Sequence, residues 1–117
     1  MAWLFFCLLL AGCGGPPPLA QVQGQVRFRG SPLPGGIIVF SPDAERGTRG
    51  QLALADIGPD GKFTLLTDGK PGCAPGWHRV TVASHVTSLP DRYRDPDLSG
   101  RIVEVKPGHN ACEVNLD

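Results

Sequence analysis

Gln21-Val22-Gln23-Gly24-Gln25-Val26-Arg27-Phe28-Arg29 alternates strictly. Val22, Gly24, Val26 and Phe28 share one parity; Gln23, Gln25, Arg27 and Arg29 share the other. Successive side chains of an extended strand point to opposite faces, so this stretch predicts a half-buried strand with a polar outer side. Working outward, Ser31-Pro32-Leu33-Pro34-Gly35-Gly36 is a turn, and Ile37 to Ser41 is a short apolar run suited to a more fully buried strand. Asp43 to Gly50 is polar and predicts an exposed loop. Gln51 to Ile57 and Phe63 to Thr67 predict a strand pair around the turn Pro59-Asp60-Gly61-Lys62.

Asp68 to Gly76 reads as a Pro/Gly connection. Trp77 to Ser84 is a strand with His78, Val80 and Val82 on one face and Trp77, Arg79, Thr81 and Ala83 on the other. Ser88 to Gly100 is a long polar loop, and Arg101 to Lys106 and Ala111 to Leu116 complete the set. The expectation is an all-β, seven-stranded β-sandwich, with a small closed barrel as the alternative. Sixteen Gly and twelve Pro fit turns between short strands and argue against a helical domain.

The N-terminal segment carries a different message. An apolar run from Ala2 to Ala11 leads into Leu10-Ala11-Gly12-Cys13, which resembles a bacterial lipobox. The resemblance implies that Cys13 receives a diacylglycerol and that the chain is cut between Gly12 and Cys13. The run is too short for a spanning helix, which needs about 20 residues. It lacks the basic residues that normally precede such a signal. The expected organisation is a lipoprotein signal peptide (1–12), a lipidated Cys and Gly/Pro tether (13–20) and a β-sandwich domain (21–117). The expected location is the cell envelope, outside the cytoplasm, with the membrane as partner through the N-terminal lipid. Eleven basic and eleven acidic residues leave no net charge. No nucleic acid is therefore expected, because that interaction needs a basic surface.

Motif order supplies a second resemblance. Gly24-x-Val26, Pro32-Leu33-Pro34-Gly35-Gly36 and Val39-Phe40-Ser41-Pro42 are followed by Asp60-Gly61-x-Phe63 and Pro75-Gly76-x-His78-x-Val80. Leu89-Pro90-x-x-Tyr93-x-Asp95-Pro96, Ser99-Gly100 and Val105-x-Pro107-Gly108-x-Asn110 close the series. Together they resemble the bacterial carboxypeptidase regulatory-like, transthyretin-like lipoproteins. That resemblance implies a Greek-key sandwich of the prealbumin type, used elsewhere as an accessory or carbohydrate-binding domain, so fold alone leaves the function open.

The residues suggest little chemistry. There is neither a G-x-S-x-G elbow nor an H-E-x-x-H pair. The hydroxyisourate hydrolases of the transthyretin-like fold carry a Tyr-Arg-Gly-Ser tetrapeptide that has no match here, so no catalytic residue and no cofactor are expected. His78, His85 and His109 are read as ordinary surface or loop histidines, and no metal is expected. Asp91, Asp95 and Asp97 share a loop in which carboxylates could gather calcium, but Arg92, Arg94 and Arg101 nearby favour solvated ion pairs. Cys73 and Cys112 are candidates for a disulfide in an exported domain, or for buried thiols. Trp77 and Tyr93 are candidate ligand contacts. The expected function is a non-catalytic binding or structural module that contacts envelope protein or glycan. A weak carbohydrate-binding module is the alternative, and a transthyretin-like hydrolase the more distant one.

Overall fold

A computed structural model describes residues 18–117, and Cys13 with the expected signal peptide lies outside the described residues. The chain is all-β, with two sheets packed as a sandwich. Ten strand segments run in the order β1 (Gln21–Phe28), β2 (Ser31–Pro32), β3 (Gly36–Pro42), β4 (Ala53–Ile57), β5 (Lys62–Thr64), β6 (Leu66–Thr67), β7 (Lys70–Pro71), β8 (Gly76–Ala83), β9 (Ile102–Val105) and β10 (His109–Leu116). Short 3-10 turns at Ala44–Arg46 and Asp91–Arg94 are the helical elements.

The smaller sheet is built on β1, which pairs with β10 in parallel and with β2 and β5 antiparallel. The larger sheet has the order β7-β6-β4-β3-β8-β9, all antiparallel. The alternation of β1 is realised: Val22 and Val26 are buried against Val114, Leu116, Phe63 and Leu65. From the opposite sheet Ile38, Phe40, Ala53, Ala55, Ile57, Val80 and Val82 complete the core.

Strand segments lie in each of the expected stretches, but Phe63 to Thr67 is divided in two and short segments at Ser31–Pro32 and Lys70–Pro71 are added, so the count is ten segments rather than seven strands. The stretch Phe63 to Thr67 does not return as a simple partner of Gln51 to Ile57. Phe63 pairs with Gly24 in the small sheet, Leu65 is buried at the crossing, and Leu66 pairs with Leu54 in the large sheet. One extended stretch thus stitches the two sheets together. Thr67 and Lys70 close a tight hairpin through Asp68 and Gly69, at φ 50° and 76°. Two positive φ values in a two-residue loop are the mark of a type I′ turn, where Gly and Asp are tolerated. Arg29–Gly30 makes the same kind of turn between β1 and β2.

Gly24 has a separate role. A Cβ there would stand 2.1 Å from the Cys112 carbonyl oxygen and 3.0 Å from the Phe63 ring. The close approach of β10 to β1 therefore needs a residue without a side chain. Ala20, assigned to the tether by sequence, is buried and bridges to Cys73.

The expected exposed loop from Asp43 to Gly50 is corrected in part. Asp43 and Thr48 are buried, because the loop folds back onto β8. The Asp43 amide donates to the Trp77 carbonyl (2.9 Å), and the Trp77 amide donates to Thr48 Oγ1 (2.7 Å).

Candidate functional site

Two outer faces and two side-chain clusters are the places where this fold could act. The outer face of the small sheet is polar. Gln23, Gln25 and Arg27 point outward from β1, with Lys62 and Thr64 from β5 and Glu113 and Asn115 from β10. Arg27 Nε donates to Glu113 at 2.7 Å across the parallel pair.

The outer face of the large sheet is apolar over β6, β4 and the start of β3, with Asp56 opposite Ile37 as a polar exception. The register places Leu66, Leu54, Val39 and Thr81 in one row across four strands. Ile37 stands two residues along β3 from Val39 and is 46% exposed; Leu54 is 44% exposed. Leu52, Leu54 and Leu66 line a shallow hollow of about 450 Å³ with Gln51, Asp68 and Gly69. Ile102 on β9 and Trp77 on β8 extend the apolar character toward the far edge. The signal was in the sequence: Gln51 to Ile57 alternates Leu52 and Leu54 with Ala53 and Ala55, so both parities are apolar. That doubling implies a strand that exposes leucines or is covered by something.

A charged cluster stands at the β8–β9 side of the same face. Arg79 Nη1 contacts Asp97 at 2.5 Å, its Nη2 contacts Glu45 at 3.0 Å, and its Nε lies 3.4 Å from Asp43. Arg46 Nη1 meets the same Asp43 oxygen at 2.5 Å. Asp43 also accepts from the Glu45 amide and so caps the short 3-10 turn. Burial opposes its charge, but hydrogen bonds from Arg46 and Arg79 prevail and hold the carboxyl below its ordinary range. Arg79 is correspondingly raised by its bonds to Asp43 and Glu45. A hollow of about 250 Å³ opens here between Ser41, Glu45, Arg79 and Pro96.

Trp77 and Tyr93 part company. Trp77 is 38% exposed, with the Arg46 guanidinium 6.0 Å from its ring centre, and remains available as a contact. Tyr93 is 1% exposed, which removes it from the ligand candidates. Its hydroxyl accepts from the Asp117 amide (2.8 Å) and from Arg92 Nη2 (3.0 Å), and lies 3.3 Å from the Asp117 carbonyl oxygen. Arg92 and Arg101 stand 4.6 and 5.6 Å from its ring. The residue pins the long loop to the end of β10, because a buried phenol must find polar partners.

Among the described residues Cys73 and Cys112 are both free thiols, without the candidate disulfide between them. The reason is positional. Cys73 lies opposite Ala20 and Cys112 opposite Gly24, four residues along the same extended chain. That offset is about 13 Å along the strand, whereas bridged Cα atoms stay within about 7 Å. Cys73 instead lies beside His78, with Sγ 3.5 Å from Nε2. His78 is fully buried, correcting its reading as a surface residue, and its Nε2–H donates to the Ala74 carbonyl at 2.8 Å. Burial pushes the Cys73 thiol up to about 12 and lowers His78. A nucleophilic cysteine needs the opposite shift and access to substrate, so this pair is packing rather than a reacting dyad. Burial raises Cys112 as well.

The aspartates of the long loop are engaged. Asp91 pairs with Arg94, Asp97 with Arg79, and Asp95 accepts the Asp97 amide at 2.8 Å. His85 and His109 are exposed and lie on different segments. Among the described residues, no helix is long and apolar enough to cross a membrane.

No protein-family model matches the chain, and no curated protein matches it. Among solved structures it is similar to a DUF3823 family protein from Parabacteroides merdae ATCC 43184, with 18% identity and a TM-score of 0.52. The likeness covers 85% of this chain and 46% of the other, so the chain spans about half the length of the solved protein. At that identity the likeness supports the β-sandwich fold alone.

Proposed function

We propose that this protein is an exported lipoprotein, held at the cell envelope through Cys13, whose sandwich is a non-catalytic binding module. We further read its architecture as the Greek-key, prealbumin-type arrangement of the carboxypeptidase regulatory-like domains. The observation that carries the binding role is the unpartnered apolar face of Leu52, Leu54, Leu66 and Ile37. A soluble monomer gains nothing from placing several large apolar side chains on one face, and such patches commonly mark contact surfaces. The anchor rests on Leu10-Ala11-Gly12-Cys13.

The test is the intact mass of the protein extracted from membranes of its native host. A mass for residues 13–117 plus diacylglyceryl and acyl groups supports the anchor. A mass with residues 1–12 retained, or cleaved without lipid, overturns it. Catalysis is tested by incubation with generic ester and peptide substrates, and turnover above a buffer control would overturn the non-catalytic reading.

A carbohydrate-binding reading is favoured by one specific observation. Trp77 is exposed two residues from Arg79, whose acidic partners Glu45 and Asp97 line the neighbouring hollow. An aromatic face beside charged hydrogen-bonding groups suits a sugar ring, which stacks on the one and hydrogen-bonds the other. A glycan array with Trp77→Ala as control decides it: signal lost in the variant supports the reading, and no signal removes it.

A further inference from the structure

The first described residues enter at the edge of the larger sheet that also carries the apolar hollow. Leu19 packs against Gly72, and Ala20 exchanges backbone hydrogen bonds with Cys73 at 2.8 Å each way. Ala74, the next residue, lies against Gly50, where an added Cβ would meet its side chain at 3.7 Å. Gly50 leads directly into Gln51 and Leu52. On the other side Pro71 pairs with Leu66, which pairs with Leu54. The first described residues therefore enter beside the hollow formed by Leu52, Leu54 and Leu66. Cys13 precedes Pro18 by five residues, a contour of about 15 Å if extended as polyproline.

We infer that the outer face of the larger sheet, centred on Leu52, Leu54 and Leu66, lies on the surface of the bilayer that carries the Cys13 lipid. This inference rests on the proposed anchor. The five-residue tether keeps that face within a few strand widths of the bilayer. Tethering raises the effective concentration, so even a weak apolar contact becomes populated. The chemistry of the patch fits an interface. Leu52, Leu54 and Leu66 are flanked by Gln51, Asp68 and Lys70, and Asp56 paired with Ile37 bounds them on the β3 side, so the leucines can enter the headgroup–acyl boundary while that rim stays wet. The opposite face, with Gln23, Gln25, Arg27 and Glu113, then points to the surroundings. A zero net charge implies that the domain binds vesicles weakly when the anchor is absent.

The test uses the mature chain from residue 13, with Trp77→Phe as background. Trp3 lies in the segment proposed to be removed, so Trp77 is the remaining native tryptophan. One reporter tryptophan is placed at Leu54 (Leu54→Trp) or, on the opposite face, at Thr64 (Thr64→Trp); both sites are exposed. Lipidated protein is reconstituted into phosphatidylethanolamine–phosphatidylglycerol vesicles with brominated acyl chains. The expected result is at least twofold quenching at position 54 and little at position 64. Equal or absent quenching at both sites, in protein whose mass includes the lipid, overturns the face assignment and leaves the anchor standing. If the host protein carries no lipid, the anchor reading fails on its own. The face is then read with the Cys13→Ser chain held on nickel-chelating vesicles by an N-terminal hexahistidine tag. Sedimentation of the unlipidated chain as a dimer that Leu54→Asp returns to monomer would also overturn the inference, in favour of a second copy as the occupant.

Discussion

The two outer faces of this sandwich are built by the same rule and read oppositely. On β1 the outward parity is Gln23, Gln25 and Arg27, and on β10 it includes Glu113 and Asn115. On β3, β4 and β6 the outward parity is mostly apolar, Ile37, Val39, Leu54 and Leu66, with Ser41 and Asp56 as its polar members. The inner faces of both sheets line one shared core, so the difference lies on the outer sides. A sheet that needs only one buried side keeps the other polar. The large sheet does not, and the leucines on its solvent side point to a second surface beyond the domain's own core.

The comparison can be broken most severely from the small sheet. Gly24→Val would drive a side chain into the Cys112 carbonyl and the Phe63 ring. The expected loss is about 3 kcal/mol, at the upper end of ordinary overpacking, measured by urea unfolding. An unchanged midpoint would mean that β10 does not approach β1 as described. The next effect is at the end of the sandwich. Tyr93→Phe removes the hydroxyl that binds the Asp117 amide and Arg92. A loss of about 1–2 kcal/mol is expected from the groups left unpaired, by the same measurement.

His78 sharpens the comparison through pH. Its folded value lies below the ordinary 6.5 because burial disfavours the charged ring. The unfolded chain therefore binds the proton more readily. The His78 contribution is complete above about 6.5 and falls as pH drops toward the lower folded value. The thermal midpoint should decrease on acidification across that window, and His78→Phe should flatten this part of the profile. Cys73 and Phe40 adjoin the ring, and neither supplies a countercharge to stabilise the protonated form.

The smallest folding effect belongs to the outer faces. Leu54→Gln and Thr64→Ala should each change stability by no more than about 0.5 kcal/mol. Contact with membranes should respond to the first and not to the second. A large folding loss from Leu54→Gln would mean that Leu54 supports the domain itself.

Much of the fold was legible: β1 and β8 lie where residue parity put them, because period-2 alternation survives burial, and β3, β4, β9 and β10 lie in the stretches that turn residues marked off. The crossing at Leu65 was not legible, since a stretch that changes sheets keeps the same alternation throughout. The I′ turn at Asp68–Gly69 was present as a dipeptide, but it stood among other Pro and Gly residues that read equally well as loop. For the candidate site, Trp77 was correctly assigned to the face opposite Val80 and Val82. Tyr93 was read as a possible ligand contact, and its burial was not legible, because a polar loop gives no sign that one residue turns inward to meet the chain's far end. The leucines at 52 and 54 were visible as apolar on a second parity. Their unpartnered state emerges only once the topology shows that no described element covers them.

The most direct measurement is hydroxyl-radical footprinting of the protein in native envelope vesicles and as the unlipidated chain in solution, read residue by residue. The account predicts that Leu52, Leu54 and Leu66 lose reactivity in the vesicles while Gln25, Lys62 and Glu113 keep theirs. Equal reactivity of Leu52, Leu54 and Leu66 in both preparations, or protection of the polar face instead, would contradict it.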